Sequence, residues 1–266
     1  MAPRRRLLLA GTVLAVAVLA AVLVLRAVTS GRTPAGHPDQ ARPGAVLLVP
    51  GYGGNTGSLE PLAARLRATG RTATVVALPG DGTGDLAGQA STLQAAVLRA
   101  VPAQGPSVDL VGYSAGGVVV RLWVDRYDRG RHLARRVVTL GSPLHGTQLA
   151  ALGTALVPGA CPVACQQLVP GSPLLRQLDA APLPAGLPWL SVWTRDDQTV
   201  TPPESARLAG ALNVAVQDVC AGASVQHGQL PGDPMVTGLV LRTLGVSAPT
   251  TPAPADCPAL RALGSS

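Results

Sequence analysis

The stretch that most constrains the fold is residues 108–120, which read VDLVGYSAGGVVV. A short apolar run comes first, the pattern Gly-x-Ser-x-Gly follows at residues 112–116, and an apolar segment of helical character comes next. We expect a strand, a sharp turn that carries Ser114, and a helix. A serine on so tight a turn has a strained backbone, and glycine neighbours let the two elements approach closely. The pattern alone is weak evidence in a chain with 31 glycines, so the rest of the sequence must supply its context.

Apolar runs alternate with helical patterns over residues 45–246, which predicts an α/β domain with a mainly parallel sheet. Strands are expected at residues 45–49, 72–78, 108–111, 136–140, 189–194 and 213–219. Helices are expected at residues 58–68, 86–101, 115–128, 204–212 and 233–244. Residues 147–187 have a mixed pattern with many prolines, and we interpret them as an insertion or cap. The ligand site of such a sheet lies at the carboxyl ends of the strands.

The two ends of the chain differ in composition from this domain. Residues 1–30 contain Arg4, Arg5 and Arg6 and then an unbroken apolar run at residues 7–25. That run fits either a cleaved signal peptide or an uncleaved membrane anchor, and both readings export the rest of the chain. Residues 31–44 form a polar linker, and residues 247–266 form a proline-rich tail. We therefore expect a protein that is secreted or anchored to the outer face of the cytoplasmic membrane, with membrane contact through its N-terminal segment.

The net charge of +7 does not indicate nucleic-acid binding. Four of the arginines lie in the N-terminal segment, and without them 17 arginines stand against 14 acidic residues, a charge of +3. The remaining arginines are scattered, and no basic block is interleaved with aromatic residues. We expect a monomer that binds neither nucleic acid nor a cofactor.

The four cysteines favour two disulfides in an exported chain, with three possible connectivities. Cys161 and Cys165 are close in sequence, so we pair them with each other and Cys220 with Cys257. The second bridge would pin the tail to the domain and close the larger loop. A zinc site is a lesser alternative, because no histidine falls at ligand spacing near either pair.

Residues that could activate Ser114 lie downstream of it. A serine hydroxyl becomes a strong nucleophile when a base takes its proton, and a carboxylate holds that base in the right tautomer. His227 follows the last predicted strand, and Asp196 and Asp197 end the strand before. His145 follows the strand after the serine with no acidic residue between, so we interpret it as structural. The sequence thus offers a nucleophile, a base and a choice of two acids.

Several motifs occur in one order along the chain. They are PGYGG at 50–54, GYSAGG at 112–117, LGSPLHGT at 140–147, Asp-x-x-Val-x-Pro at 197–202 and His-Gly at 227–228. With them, residues 45–244 resemble the secreted bacterial lipases and esterases of the α/β-hydrolase superfamily. The acid that fits the fourth motif is Asp197, and Asp196 is its nearest rival.

The resemblance implies an α/β-hydrolase fold and the hydrolysis of carboxylic esters, with lipid esters such as acylglycerols as substrates. Ser114 would be the nucleophile, His227 the base and Asp197 the acid that orients it. The backbone N–H groups of Tyr52 and Ala115 would form the oxyanion hole, with no metal or cofactor. An acyltransferase or thioesterase would use the same residues. A non-catalytic surface protein on a hydrolase scaffold is the alternative from a different class.

One departure from the family lies in the loop before Tyr52. Many members have His-Gly where this chain has Pro50-Gly51. Proline lacks an N–H, but the donor that the oxyanion hole needs belongs to Tyr52, so the hole can survive. The loop lacks the histidine side chain that might brace it. A second loop, residues 81–85, resembles a carboxylate-rich calcium loop, but its ligand spacing is incomplete and we interpret it as a turn.

Overall fold

A computed structural model of the protein describes residues 36–156, 159 and 161–265. His37–Ser266 forms one compact unit. The predicted signal peptide or membrane anchor, residues 1–30, lies outside the described residues, as does the start of the linker. None of the helices in the described ranges combines the length and the hydropathy that a membrane span requires.

A single sheet of six parallel strands is the centre of the described unit. Its strands are β1 (Ala45–Val49), β2 (Ala73–Val75), β3 (Val108–Tyr113), β4 (Ala134–Leu140), β5 (Trp189–Trp193) and β6 (Leu212–Ala215). Their spatial order is β2-β1-β3-β4-β5-β6, and the register places Leu48 opposite Val111, Val111 opposite Val138 and Val138 opposite Leu190. The direction of winding reverses between β1 and β3. Ligand sites in open parallel sheets lie at such a reversal, beyond the carboxyl ends of the strands.

Helices cover both faces of the sheet. They are α1 (Glu60–Ala68), α2 (Leu86–Gln104), α3 (Ala115–Trp123), α4 (Gln148–Leu156), α5 (Val163–Gln167), α6 (Pro173–Asp179), α7 (Val216–Val219), α8 (Pro234–Thr243) and α9 (Cys257–Ser265). One buried apolar cluster joins Leu47 and Leu110 of the sheet to α2, α3 and residues of α4, α5 and α6. The other joins Leu48 and Val111 to α1, α8 and α9. The strands β1, β3, β4 and β5 are buried along their whole length, and most of their residues are apolar.

Local signals in the sequence explain where the longer helices begin. The carboxylate of Asp85 accepts a hydrogen bond from Gly88 N at the start of α2. Asp233 accepts hydrogen bonds from Met235 N and Val236 N, and Pro234 occupies the first position of α8. These side chains pair N–H groups that have no partner within the helix, and proline loses nothing there because its position needs no N–H donor.

Two expectations for the last third of the chain are wrong. The helix predicted at residues 204–212 is only a 3₁₀ turn, Pro203–Ala206. The side chain of Asn213 bonds both the N–H and the carbonyl of Leu208, which closes a loop where a helix would need those backbone groups. The strand predicted at 213–219 is shorter, because the chain turns into α7 after Ala215.

The proline-rich tail contains α9, which the sequence analysis did not predict. Leu260 of α9 is buried, and Gly264 packs so closely on α8 that a Cβ there would stand 1.8 Å from the carbonyl oxygen of Pro234. The disulfide Cys220–Cys257 joins the end of α7 to the start of α9. The second disulfide, Cys161–Cys165, lies at the start of α5. These are the two pairs that the sequence favours.

A buried ionic cluster lies at the amino ends of the strands, opposite the edge where a ligand is expected. Asp109 and Arg135 are fully buried and paired through two hydrogen bonds, of 3.0 and 2.5 Å. Arg71 contacts the same carboxylate at 2.5 Å. Other N–H groups of Arg71 and Arg135, and the guanidinium of Arg136, donate to carbonyl oxygens of residues 243–247 at the end of α8. Hydrogen bonds to these carbonyl oxygens and to the Asp109 carboxylate reduce the cost of burying the guanidinium groups.

Candidate active site

Ser114 stands at the turn between β3 and α3, where the backbone is strained. Its φ is 53° and its ψ is −129°, a conformation that residues with a side chain rarely adopt. The neighbouring glycines make the turn possible. A Cβ on Gly112 would lie 2.5 Å from Gly117 Cα, and a Cβ on Gly116 would lie 2.2 Å from Val49 O. The absence of side chains at these positions therefore brings β3, α3 and the end of β1 together around the serine.

His227 links Ser114 to Asp197 by two hydrogen bonds. Its Nε2 is 3.0 Å from Ser114 Oγ, and its Nδ1 is 2.7 Å from Asp197 Oδ2. Asp197 and His227 are buried, and Ser114 is half-buried. With the Nδ1 proton directed at the carboxylate, Nε2 is free to accept the proton of the serine hydroxyl. The sequence singled out these three residues. They lie in three different loops at the carboxyl ends of the strands, and the structure brings them together.

The two neighbouring aspartates have different environments. Asp197 Oδ1 accepts hydrogen bonds from Thr199 N (2.9 Å) and Val200 N (2.8 Å), which leaves Oδ2 for the histidine. Asp196 accepts instead from Gln217 Nε2 and Val225 N, both at 3.3 Å. Asp197 is therefore hydrogen-bonded to His227, whereas Asp196 is hydrogen-bonded to Gln217 of α7 and to Val225.

Two backbone N–H groups beside Ser114 are available to a ligand. Ala115 is the first residue of α3, where the N–H has no partner within the helix. Tyr52 follows Gly51, whose backbone contacts the serine: a Cβ at position 51 would lie 3.5 Å from Ser114 Oγ. Among the described residues, none accepts a hydrogen bond from Tyr52 N. An anion at this position would meet two donors and the positive end of the α3 dipole.

The loop that carries Tyr52 is held by backbone contacts, without the histidine that many members of the resembling family have. Gly54 N donates to Gly51 O at 3.0 Å, which closes a tight turn. On its outer side Gly82 lies so close that a Cβ there would stand 2.5 Å from Gly54 N. The Tyr52 side chain is 45% exposed. Partial burial, and then the charge of Asp81, raise the pKa of its phenol.

Tyr113 belongs to the site, although sequence reasoning gave it no role. Its hydroxyl donates to the carbonyl of His227 at 3.2 Å, and the two ring centroids are 5.2 Å apart. Burial, and then the charge of Asp197, raise the pKa of Tyr113 to about 12. The phenol therefore remains a neutral donor that holds the histidine backbone. Its position just before Ser114 was the only signal in the sequence.

A cavity of about 200 Å³, partly open to solvent, begins at Ser114. Its lining is mostly apolar and comes from the loop of Tyr52, the start of α3, the region of α4 and α5, and the loop after Asp197. The lining residues are Tyr52, Ser114, Ala115, Pro143, Thr147, Leu149, Ala150, Cys165, Leu168, Thr199 and Val200. The volume is below that of sites for drug-sized ligands, and the apolar wall suits a narrow apolar group attached to a carbonyl at the serine.

His145 and the acidic loop at 81–85 have contacts of other kinds. His145 Nδ1 is 2.9 Å from Asp179, and its Nε2 is 3.0 Å from Arg207 O, so the ring bridges the end of α6 and the loop before β6. Asp81 accepts from the N–H and hydroxyl of Thr83, whose hydroxyl hydrogen bond is the main reason that the pKa of Asp81 is lowered. No group of three or more potential metal ligands occurs within the described residues.

Comparison with known proteins shows the fold. Neither a protein-family model nor a curated protein matches the sequence. Among solved structures, the mature form of the Bacillus licheniformis lipase BlEst2 is similar with a TM-score of 0.62 and 20% identity, over 80% of this chain and 96% of that one. Lipase B of Aspergillus fumigatus is similar with a TM-score of 0.61 and 17% identity, over 88% of this chain. This chain covers 64% of that lipase, less than two thirds of its length.

An extracellular α/β-hydrolase from a Paenibacillus species is also similar, with a TM-score of 0.50 and 15% identity, over 75% of this chain and 98% of that one. At these identities the likeness concerns the fold. The parallel sheet with helices on both faces is therefore the α/β-hydrolase fold, as the sequence predicted.

Proposed function

We propose that this protein is a serine hydrolase that cleaves carboxylic esters through an acyl-enzyme. The observation that carries the proposal is the continuous hydrogen-bond chain from Ser114 Oγ through both nitrogens of His227 to Asp197, at 3.0 and 2.7 Å. Two free N–H groups and an apolar cavity adjoin the serine end of that chain. A hydroxyl with only a structural role needs none of these three features.

Each residue has a defined part in the reaction. Ser114 Oγ attacks the ester carbonyl while His227 Nε2 takes the hydroxyl proton, and the carboxylate of Asp197 stabilises the imidazolium that forms. The N–H groups of Tyr52 and Ala115 bind the negative oxygen of the tetrahedral intermediate. His227 then returns the proton to the alcohol that leaves. Water attacks the acyl-serine in the second half, again through His227, and the acid is released.

The substrates we propose are lipid esters such as acylglycerols. The cavity wall supports this choice, because Leu149, Ala150, Leu168 and Val200 present apolar surface beside the serine. An acyl chain that leaves water for such a wall gains about 0.8 kcal/mol per buried methylene. A polar or charged acyl group would lose its hydration there without receiving hydrogen bonds.

Labelling with a fluorophosphonate tests the proposal directly. We expect the wild type to be labelled at Ser114, and Ser114→Ala to remain unlabelled at equal stability. No labelling of the wild type, or equal labelling of Ser114→Ala, would contradict the proposal. Rates on p-nitrophenyl esters of short and long chain, on emulsified triacylglycerol and on a thioester would then separate esterase, lipase and thioesterase. A product that joins the acyl group to an added alcohol would indicate an acyltransferase.

We also propose export of the chain as a monomer, either secreted or held at the outer face of the membrane by residues 1–30. Two disulfides support an oxidising compartment. Mass spectrometry of the mature N-terminus separates cleavage from anchoring. A chain that retains residues 1–30 in the membrane fraction would be anchored, and one that begins near residue 31 in the medium would be secreted.

A further inference from the structure

Thr147 is a buried residue whose hydroxyl makes two hydrogen bonds to the loop after Asp197. It is 7% exposed and lies just before α4, at the end of the LGSPLHGT motif. Its Oγ1 donates to the carbonyl of Thr199 at 2.8 Å and accepts from the N–H of Thr201 at 3.1 Å. One side chain therefore satisfies both a donor and an acceptor of a loop more than 50 residues away in sequence.

The loop that Thr147 holds is the one that holds Asp197. The N–H groups of Thr199 and Val200 donate to Asp197 Oδ1 at 2.9 and 2.8 Å. The peptide group between Thr199 and Val200 therefore donates its N–H to the Asp197 carboxylate and accepts a hydrogen bond from Thr147 at its carbonyl. A shift of that peptide would rotate the carboxylate, whose other oxygen lies 2.7 Å from His227 Nδ1.

The position of Thr147 is itself fixed by its backbone. Its N–H donates to Leu168 O at 3.0 Å, and its carbonyl accepts from Ala150 N and Ala151 N. The next residue, Gln148, adds a hydrogen bond from its N–H to Thr201 O at 2.8 Å. The Thr147 hydroxyl therefore projects from a backbone that is hydrogen-bonded both at the start of α4 and at the end of α5.

We propose that Thr147 is a positioning residue that fixes the orientation of the Asp197 carboxylate, and through it the tautomer and direction of His227. The proposal rests on the proposed function. Valine has nearly the shape of threonine but no hydroxyl, so Thr147→Val removes the hydrogen-bond partner of the Thr199 carbonyl and of the Thr201 and Leu149 N–H groups. Serine retains the hydroxyl and so retains both hydrogen bonds.

Steady-state kinetics on a p-nitrophenyl ester, with the full exported chain, tests the proposal. We expect Thr147→Val to lower kcat by about 10-fold to 100-fold, the scale at which small misplacements of catalytic groups act, with KM within about threefold. Thr147→Ser should keep at least about half of the wild-type kcat. The matched control is Thr69→Val at the end of α1, which removes a hydroxyl that also donates to a backbone carbonyl. It should leave kcat unchanged.

A double-mutant cycle shows whether Thr147 acts through the acid. In an Asp197→Ala background there is no carboxylate to orient, so Thr147→Val should change the residual kcat by less than about twofold. An equal loss in both backgrounds, a loss confined to KM, or a Thr147→Ser variant as slow as Thr147→Val would overturn the proposal. So would a wild-type kcat for a folded Thr147→Val.

Amide hydrogen exchange on the wild type gives a readout that does not depend on the stability of a variant. The Thr201 N–H should exchange slowly, and fast exchange at that amide would overturn the proposal. Failure of the proposed function looks different, because in that case the wild type itself would neither react with the fluorophosphonate nor cleave the ester.

Discussion

Gly51 lies against Ser114 so closely that a Cβ at position 51 would stand 2.9 Å from the serine Cβ. Gly51→Ala must therefore move either Ser114 or the loop that carries Tyr52. We expect kcat/KM for an ester to fall about 10-fold to 100-fold while the protein stays folded, because displacements below 1 Å have effects of this size. The control is Gly84→Ala, where an added Cβ meets nothing within 4 Å. Equal activity of the two variants would mean that the contact does not position the site.

The acid assignment is tested by a pair of neighbouring substitutions. Asp197→Asn keeps the size of the side chain but removes the charge that stabilises the imidazolium, so kcat should fall about 10³-fold to 10⁴-fold. Asp196→Asn should change kcat less than about threefold, because Asp196 bonds to Gln217 and Val225 and not to His227. Ester hydrolysis by both variants, measured with the wild type on one substrate, decides the matter. The reverse order of effects would make Asp196 the acid.

Substitution of Asp109 in the buried ionic cluster is expected to lower the stability of the protein strongly and to leave catalysis unchanged. Asp109→Asn removes the carboxylate shared by Arg71 and Arg135 and leaves buried positive charge without compensation. We expect the free energy of unfolding to fall by about 3–5 kcal/mol. Asp218→Asn breaks the exposed pair with Arg195 and should cost less than about 1 kcal/mol. Urea denaturation of both variants measures the difference, and a small loss in Asp109→Asn would show that the cluster is not needed for stability.

Tyr113 predicts a loss of stability at high pH. Burial, and then the charge of Asp197, raise its pKa to about 12, above the value of about 10 for a tyrosine in an unfolded chain. The contribution of the neutral Tyr113 phenol to the free energy of unfolding is fully present below about pH 10. It is lost as pH rises toward 12, because the tyrosine of the unfolded chain releases its proton first. The free energy of unfolding of the wild type should therefore fall more steeply than that of Tyr113→Phe between about pH 10 and about pH 12. Parallel curves would contradict the assignment of this effect to Tyr113.

The parts of the fold that the sequence predicted well are those with strong local signals. The strands β1, β3 and β4 contain apolar runs that are followed by glycine or proline, and α8 begins with Asp233 and Pro234. The segment at residues 204–212 has helical composition, but Asn213 satisfies the backbone of Leu208 from outside, and no helix forms. The helix α9 was missed because it depends on α8 and on the disulfide from Cys220, neither of which is local.

In the candidate site, too, some residues could be predicted from the sequence and others could not. Ser114, Asp197 and His227 were predicted from their order and their places at strand ends, and the structure brings them within hydrogen-bond distance. The contacts of Tyr113 and Thr147 could not be predicted, because each depends on a backbone group that only tertiary structure brings near. Tyr113 meets a carbonyl 114 residues away, and Thr147 meets one 52 residues away.

The helical region around α4 and α5 supplies much of the cavity wall, whereas Ser114 and the loop of Tyr52 are held by contacts between glycine backbones and the sheet. The helical part of the wall and Ser114 thus come from different stretches of sequence, and the hydroxyl of Thr147 connects the helical part to the loop after Asp197. Substitutions of Leu149, Ala150 or Leu168 can therefore change what enters the cavity while the hydrogen bonds among Ser114, His227 and Asp197 are kept.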